Sequence, residues 1–486
     1  MDYLVRKPDF QVEIVRPDYA SPTYTDYSVV KFISSPIDSA DPLFSTALIS
    51  YRFSESLHTI DSDFSLTVTL EEDDQGRTWM DKIEKRDLVF ISEFGQTRFA
   101  GIVEDIRYSA NILDDGSVNR VIIISGVNLL ALLSSFKLVF NQALYASDRT
   151  ASIANLQLLA KLSQEMKPGG QVRNIIKAIY DNFFELTLKM GTTNYSGAGI
   201  KTILDNYIDF NDKLSKDIVL RYPIQLSIYN SGENDIWNIL TSLLVPPVDE
   251  LYGLWNSETR KYEAVFRQTP FEPEDWKNLT KNYIPSILVT DHDLGSSTSE
   301  VYTYYLSIIA GSGYNKDEAV VYDAAGYAHY AEKDKEKWRK YGFRPMIIEF
   351  KYFDKNKIGT QEEKDAFKLM GELSKMLKRW FEHNDEFLSG SITFMTIDEK
   401  WWSGEIRNPR IGEKIGFLDG EFYVEESEHS WNYGGPMITR LSVTRGYKYS
   451  ATGEMIGPID NLGRKLASIA KGYDRFWGMN SSRGAV

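Results

Sequence analysis

Four ionisable residues crowd the stretch VEESEH: Glu425, Glu426, Glu428 and His429. Carboxylates beside an imidazole can serve acid/base catalysis or hold a metal. The stretch also has the period of a strand. In a strand Glu426 and Glu428 project to one face, and Glu425 and His429 to the other. The cluster therefore divides, and a solvated or interface-facing strand is the preferred reading. The other candidates are weaker. Asp291-His292-Asp293 and His383-Asn384-Asp385-Glu386 each offer one imidazole among acids, and the remaining histidines, His58 and His329, lie far off in sequence. No HExxH motif occurs. The run DEKWWSGE (Asp398 to Glu405) offers carboxylates and two indole faces, Trp401 and Trp402, as a sugar subsite would. Loop or interface aromatics are the plainer reading. Gly197 with Gly199, and Gly311 with Gly313, match neither the dinucleotide fingerprint nor the phosphate loop, and there is no GxSxG elbow. The chain has no cysteine, which removes disulfides, thiolate ligands and thiol nucleophiles together. The sequence thus nominates no catalytic, cofactor-binding or metal residue and no cofactor, and is not read as an enzyme.

The elements that must position these residues are mainly strands. A chain of 486 residues exceeds one ordinary core. An aromatic content of 13% leans toward β-rich structure or large interfaces. In FSLTVTL, Phe64, Leu66, Val68 and Leu70 share one face, a half-buried strand. LVFIS, RFAGIVEDIRYS and RVIIISG follow, separated by short turns. Between 146 and 215 the period becomes helical, with Ile153, Leu156, Leu159 and Leu162, then Ile175, Ile176, Ile179 and Phe183. ELYGLWNSETRKYEAVFRQTPF reads as a hairpin, which Pro270 ends. Thr360 and Glu363 form a capping box for a helix over 360–383, with Phe367, Met370, Leu373 and Leu377 as its apolar stripe. Strands then resume to Tyr449. The predicted class is mainly β with α insertions. It has a first small β-barrel domain at 1–145, a mixed middle domain at 146–286, a second barrel at 287–449 and an extended tail at 450–486.

The two strand-rich regions follow one order of events. FSLTVTLEED, then IEKRDLVFISEFGQTRFAGIVEDIRYS, then RVIIISGVN parallels SGSITFMTIDE, then IRNPRIGEKIGFLDGEFYVEESEHSW, then TRLSVTRGY. Leu66 to Phe90 is spaced like Ile392 to Phe417, and Phe99 to Gly126 like Phe422 to Gly446. Gly434-Gly435 is the turn of the last hairpin, and Arg445-Gly446 its end. One chain carries two related β-domains, so a three-fold oligomer would present a pseudo-six-fold surface.

The region Phe387 to Tyr449 resembles the C-terminal domain of phage late control D and baseplate hub proteins, found in contractile tails and related injection systems. The matching features are Gly412 before the strand Lys414–Leu418, FYVEESEH, Gly434-Gly435 and TRLSVTRG. WMDKIEKRDLVFI with RFAGIVEDI is similar to the first hub domain, and VFRQTPFEPEDW to a segment of larger hub proteins. The resemblance implies a homotrimeric adaptor between a hexameric tail tube and a trimeric spike. Its partners would be further copies of itself, a tube or tube-initiator protein, the spike and baseplate wedge proteins. It implies no catalytic residues. Its location would be the baseplate of a virion or injection particle assembled in the bacterial cytoplasm. The competing expectation is a tail-associated glycan-binding protein or cell-wall hydrolase. The net charge of -14 speaks against sequence-specific nucleic-acid binding, though DNA or cargo could slide through an acidic lumen. No stretch approaches the ~18 apolar residues of a membrane helix, so no membrane insertion is expected.

Overall fold

The structure, a computed structural model, describes residues 7–18, 26–34, 43–59, 62–112, 118–135, 205–209, 235, 237–238, 241, 244, 246–309, 331–350, 361–400 and 406–460. Both helical stripes of 146–215, His329, the four glycines at 197, 199, 311 and 313, Thr360, Trp401 and Trp402 lie outside these residues, as does the tail beyond 460.

The N-terminal region gives β1 (Phe10–Pro17), β2 (Asp26–Ile33), β3 (Phe44–Ser45), β4 (Leu48–Ser56), β5 (Asp63–Thr69), β6 (Leu88–Glu93), β7 (Gln96–Ile112) and β8 (Val118–Asn128). Alternation drives them. Phe64, Leu66 and Val68 of β5 are buried, while Ser65, Thr67 and Thr69 between them stay half-buried. The buried faces meet in one core containing Phe10, Phe32, Tyr51, Phe53, Leu66 and Phe99.

A small sheet follows, made of β9 (Ile208–Asp209), β10 (Asp249–Asn256) and β11 (Lys261–Gln268). β10 and β11 are the expected hairpin, paired from Asp249–Gln268 to Asn256–Lys261. Then come β12 (Lys281–Tyr283), β13 (Val289–Gly295), β14 (Tyr304–Ile309), β15 (Glu332–Lys333) and β16 (Pro345–Phe350). Strands β14 to β16 form a second small sheet. The long helix spans Gln361–Phe381. Met370, Leu373 and Leu377 bury its stripe beside Tyr305 and Trp276.

The last strands are β17 (Leu388–Met395), β18 (Lys414–Phe417), β19 (Gly420–Asn432), β20 (Met437–Tyr449) and β21 (Met455–Gly457). Gly434, at φ 80, turns the β19–β20 hairpin, where the Gly435 N–H donates to the Asn432 carbonyl at 2.9 Å. Instead of two separate barrels, the described strands form one open 15-stranded sheet that runs through both strand-rich regions.

Within that sheet the order β4-β5-β8-β7-β6-β1 is matched by β13-β17-β20-β19-β18-β12. The match extends to single residues. Leu48 opposite Val68 corresponds to Val289 opposite Phe394, and a register shift follows each pair. Phe53 opposite Phe64 corresponds to Leu294 opposite Gly390. Leu88 opposite Ile102 corresponds to Lys414 opposite Tyr423. Ile106 opposite Ile124 corresponds to Ser427 opposite Leu441, beyond a bulge at Val103/Asp105 in one unit and Val424/Glu426 in the other. One pairing departs: β1 meets β6 antiparallel, whereas β12 meets β18 parallel.

The register corrects part of the sequence alignment. Leu66 does correspond to Ile392, but Phe90 corresponds to Gly416, one residue before Phe417. Gly126 corresponds to Val443 rather than Gly446. An extra bulge follows Val443: Arg445 sits at φ 57, and pairing passes from Thr444–Tyr423 to Tyr447–Glu421. The return strand therefore does not end at Arg445-Gly446 but continues to Tyr449. Gly446 is required there because a Cβ would lie 2.1 Å from the Phe422 ring.

Candidate functional site

The two β-units meet where β4 of the first pairs with β19 of the second, from Ser56–Glu426 to Ser50–Asn432. This seam carries a cluster of buried polar groups. Glu93, at the end of β6, is 0% exposed, and His429 of β19 is 4% exposed. His429 Nδ1 lies 2.8 Å from Glu93 Oε2, and the Tyr51 hydroxyl donates to Glu93 Oε1 at 2.7 Å. Thr439 stands 3.4 Å from the same imidazole nitrogen and 3.0 Å from Thr396. The Phe53 ring stacks on the imidazole at 4.7 Å. Burial works against ionisation of Glu93, but the adjacent His429 and the Tyr51 hydroxyl outweigh it and hold the carboxyl below the usual glutamate range. Burial, with Glu93 beside it, pushes the Tyr51 hydroxyl well up. Glu93, Tyr51 and His429 come from three different strands, β6, β4 and β19, so the cluster clamps the first unit to the second.

The sequence placed His429 on a solvated or interface-facing strand. The structure buries it, because β4 covers that edge of β19 and Glu93 reaches it across the core. Sequence spacing could not reveal Glu93 or Tyr51, whose strands are brought to β19 only by the fold. Glu426 and Glu428 do point away from His429, into the opposite face. Glu425 is the extra residue of the bulge and turns aside, to His58 Nε2 at 3.5 Å and the Thr444 hydroxyl at 2.8 Å. The hydrogen bond to Glu425 raises the His58 imidazole's affinity for a proton.

The other candidates are dispersed. Asp291 and Asp293 are exposed on β13, with His292 half-buried between them. His383 lies 3.4 Å from Glu386. Asp385 instead accepts from Lys337 and, at 3.0 Å, from the Tyr341 hydroxyl. No three His, Asp or Glu side chains converge as a metal site among the described residues.

The outward face of the seam is a polar groove of about 560 Å³. Arg52, Ser54, Glu426, Glu428, Arg440 and Asp293 line it. Arg52 Nε pairs with Glu428 Oε1 at 3.1 Å. Both signs of charge occur here, with the acids Asp293, Glu426 and Glu428 outnumbering Arg52 and Arg440. The middle hairpin is tied to both units. The Tyr262 hydroxyl donates to Glu55 of the first unit at 3.2 Å, Arg267 donates to the Gly412 carbonyl of the second at 2.8 Å, and the Tyr423 hydroxyl donates to Glu250 at 2.8 Å. Burial pushes the Glu55 carboxyl up, against the opposing pull of Arg410 and His429. This arrangement can join surfaces: its polar groups are spent on one another.

No family model matches the chain, and no curated protein does. Solved structures do. The prophage MuSo2 43 kDa tail protein from Shewanella oneidensis aligns over 90% of this chain and 98% of its own, with 13% identity and a TM-score of 0.47. A tail protein from Neisseria meningitidis MC58 aligns over 90% and 96%, with 10% identity and a TM-score of 0.46. An E. coli component of the type VI secretion system aligns over 85% and 76%, with 10% identity and a TM-score of 0.38. These neighbours are phage tail and secretion-system proteins.

Proposed function

We propose that this chain is a structural hub of a contractile tail or injection-system baseplate. Three copies form a ring that joins a six-fold tail tube to a three-fold spike. The observation that carries this reading is the duplication inside one sheet, in which six strands follow one order and two bulges recur at corresponding positions. A ring of three such chains presents six like units, which is what an adaptor between the two symmetries needs. The open sheet fits the same reading, since neighbouring chains could continue it into a closed barrel. The proposed division keeps a first hub domain at 1–145, a middle domain at 146–286, a second hub domain at 287–449 and a tail at 450–486.

The partners follow from the hub resemblance of Phe387 to Tyr449: the tube or its initiator, the spike and the wedge proteins, in a baseplate assembled in the bacterial cytoplasm. The role is structural rather than catalytic. The competing glycan reading rests on Trp401 and Trp402, which lie outside the described residues. Light scattering on the purified chain tests the proposal. A mass of three chains, and capture of a hexameric tube protein by that species, is the expected result. A monomer at all concentrations, or one that cleaves cell-wall glycan, overturns it.

A further inference from the structure

The internal seam has two unfilled counterparts. β19 uses its outer edge twice: β18 pairs with Gly420–Tyr423, and beyond the bulge β4 pairs with Glu426–Asn432. Its counterpart β7 pairs with β6 over Gln96–Ile102, but beyond its own bulge no described strand pairs with that edge. Likewise β4 has β5 on one side and β19 on the other, whereas its counterpart β13 has β17 on one side and no described strand on the other. Among the described residues the chain thus closes one seam and leaves both halves of an equivalent seam without a partner strand.

We infer that β7 beyond its bulge pairs antiparallel with β13 of a second copy, in the register that β19 and β4 use within one chain. This rests on the hub reading and specifies how its chains meet. Transferring the register places Arg107 opposite Gly295, Tyr108 opposite Leu294 and Ser109 opposite Asp293. Arg107 and Asp293 then become diagonal neighbours. Their counterparts in the internal seam are Glu428 and Arg52, which form the 3.1 Å ion pair. The charges are complementary at both seams and reversed between them. Tyr108, 48% exposed in the single chain, would cover the half-buried Leu294 as His429 covers Phe53.

The reversal also sorts the edges. Pairing β4 with β7 would set Arg52 against Arg107, and pairing β13 with β19 would set Asp293 against Glu428. Each edge is therefore matched to one partner and mismatched to that partner's duplicate. Arg107 already lies against Asp105 on its own strand. In the seam it would stand between two carboxylates.

Charge reversal and cross-linking test this directly, and the absence of cysteine makes the second clean. R107E alone, or D293R alone, should weaken self-association roughly tenfold at low salt, and R107E/D293R together should restore it. Both residues are exposed, so circular dichroism of each variant should match the parent. Oxidised Y108C/L294C should give a covalent three-chain band, whereas either single cysteine should not. A trimer that ignores all three charge variants and does not cross-link overturns the inference while sparing the hub reading. The open edges would then be charged strands guarded against pairing. A parent chain that stays monomeric overturns both.

Discussion

The two β-units share a register but not their side chains, and the differences gather at the seams. Position 64 of the first unit is a buried Phe, packed on Phe99. Its counterpart, Gly390, sits at φ 142, where a Cβ would fall 1.9 Å from the Asp293 carbonyl oxygen. His429 of β19 is sealed against Glu93, whereas its counterpart Tyr108 of β7 is exposed. Ladder hydrogen bonds and alternation hold a register through many side-chain changes, because a one-residue slip would turn every core residue outward. The duplicated frame could therefore persist while one seam became a buried clamp and the other edge stayed open.

Removing the clamp is the strongest way to break this comparison. Glu93→Ala leaves His429 and the Tyr51 hydroxyl buried without their shared partner. A loss of about 3–5 kcal/mol is expected, as for one half of a buried ion pair. Tyr108→Ala, at the corresponding exposed position, should stay within about 0.5 kcal/mol in the single chain. Urea midpoints measure both, and a Glu93→Ala loss below 1 kcal/mol would place the clamp among ordinary surface pairs. The pH dependence has a definite sign. Glu93 is held below its ordinary value in the folded chain, so its contribution is fully present above the unfolded pKa of about 4.3. It is lost as pH falls through the lower, folded value. Glu93→Gln should flatten that acid limb in a urea series taken at successive pH values, and an unchanged limb counts against the assignment.

A second, smaller break separates the bulge in β20 from the turn before it. Gly446→Ala drives a methyl into the Phe422 ring, at 2.1 Å, and against the Leu388 carbonyl, at 2.8 Å. Overpacking of this kind costs about 1–3 kcal/mol. Gly434→Ala meets no atom within 4 Å, so only its φ of 80 opposes it, at about 1 kcal/mol. Thermal unfolding of the two variants should rank them in that order. Equal costs would show that β20 relaxes around the added methyl.

How much of this was legible depended on the reach of each signal. Alternation in Phe64–Leu70 and in the β10–β11 hairpin is local, and it gave those strands directly. The stripe Met370, Leu373 and Leu377 gave the long helix in the same way. The Glu/His face division at 426, 428 and 429 was legible because period two holds beyond Val424. Glu425 was misplaced because a bulge is invisible to alternation: one extra residue resets the phase. The clamp was not legible at all, since Glu93 and His429 are joined by topology rather than by spacing. Nor was the open sheet, since whether strands close into a barrel depends on which edges find partners.

The smallest predicted effect is the one that most sharpens the contrast between buried and exposed seam chemistry. Arg52 and Glu428 are joined at 3.1 Å, but their side chains remain 54% and 34% exposed. Water screens such a pair, and holding two long side chains costs entropy. A double-mutant cycle of Arg52→Ala and Glu428→Ala should return a coupling of about 0.2–1 kcal/mol, shrinking further at 1 M salt as the screening length falls to about 3 Å. His429 lies on the same strand pairing, yet its coupling to Glu93, which reaches it from β6, should largely persist at that salt, because both groups are buried away from ions. If the exposed pair proved as strong and as salt-resistant as the buried one, its role would be to hold the chain's own seam. A weak, salt-sensitive coupling instead suits a charge that selects which edge pairs with which, leaving the hydrogen-bonded strands and the buried clamp to supply the stability.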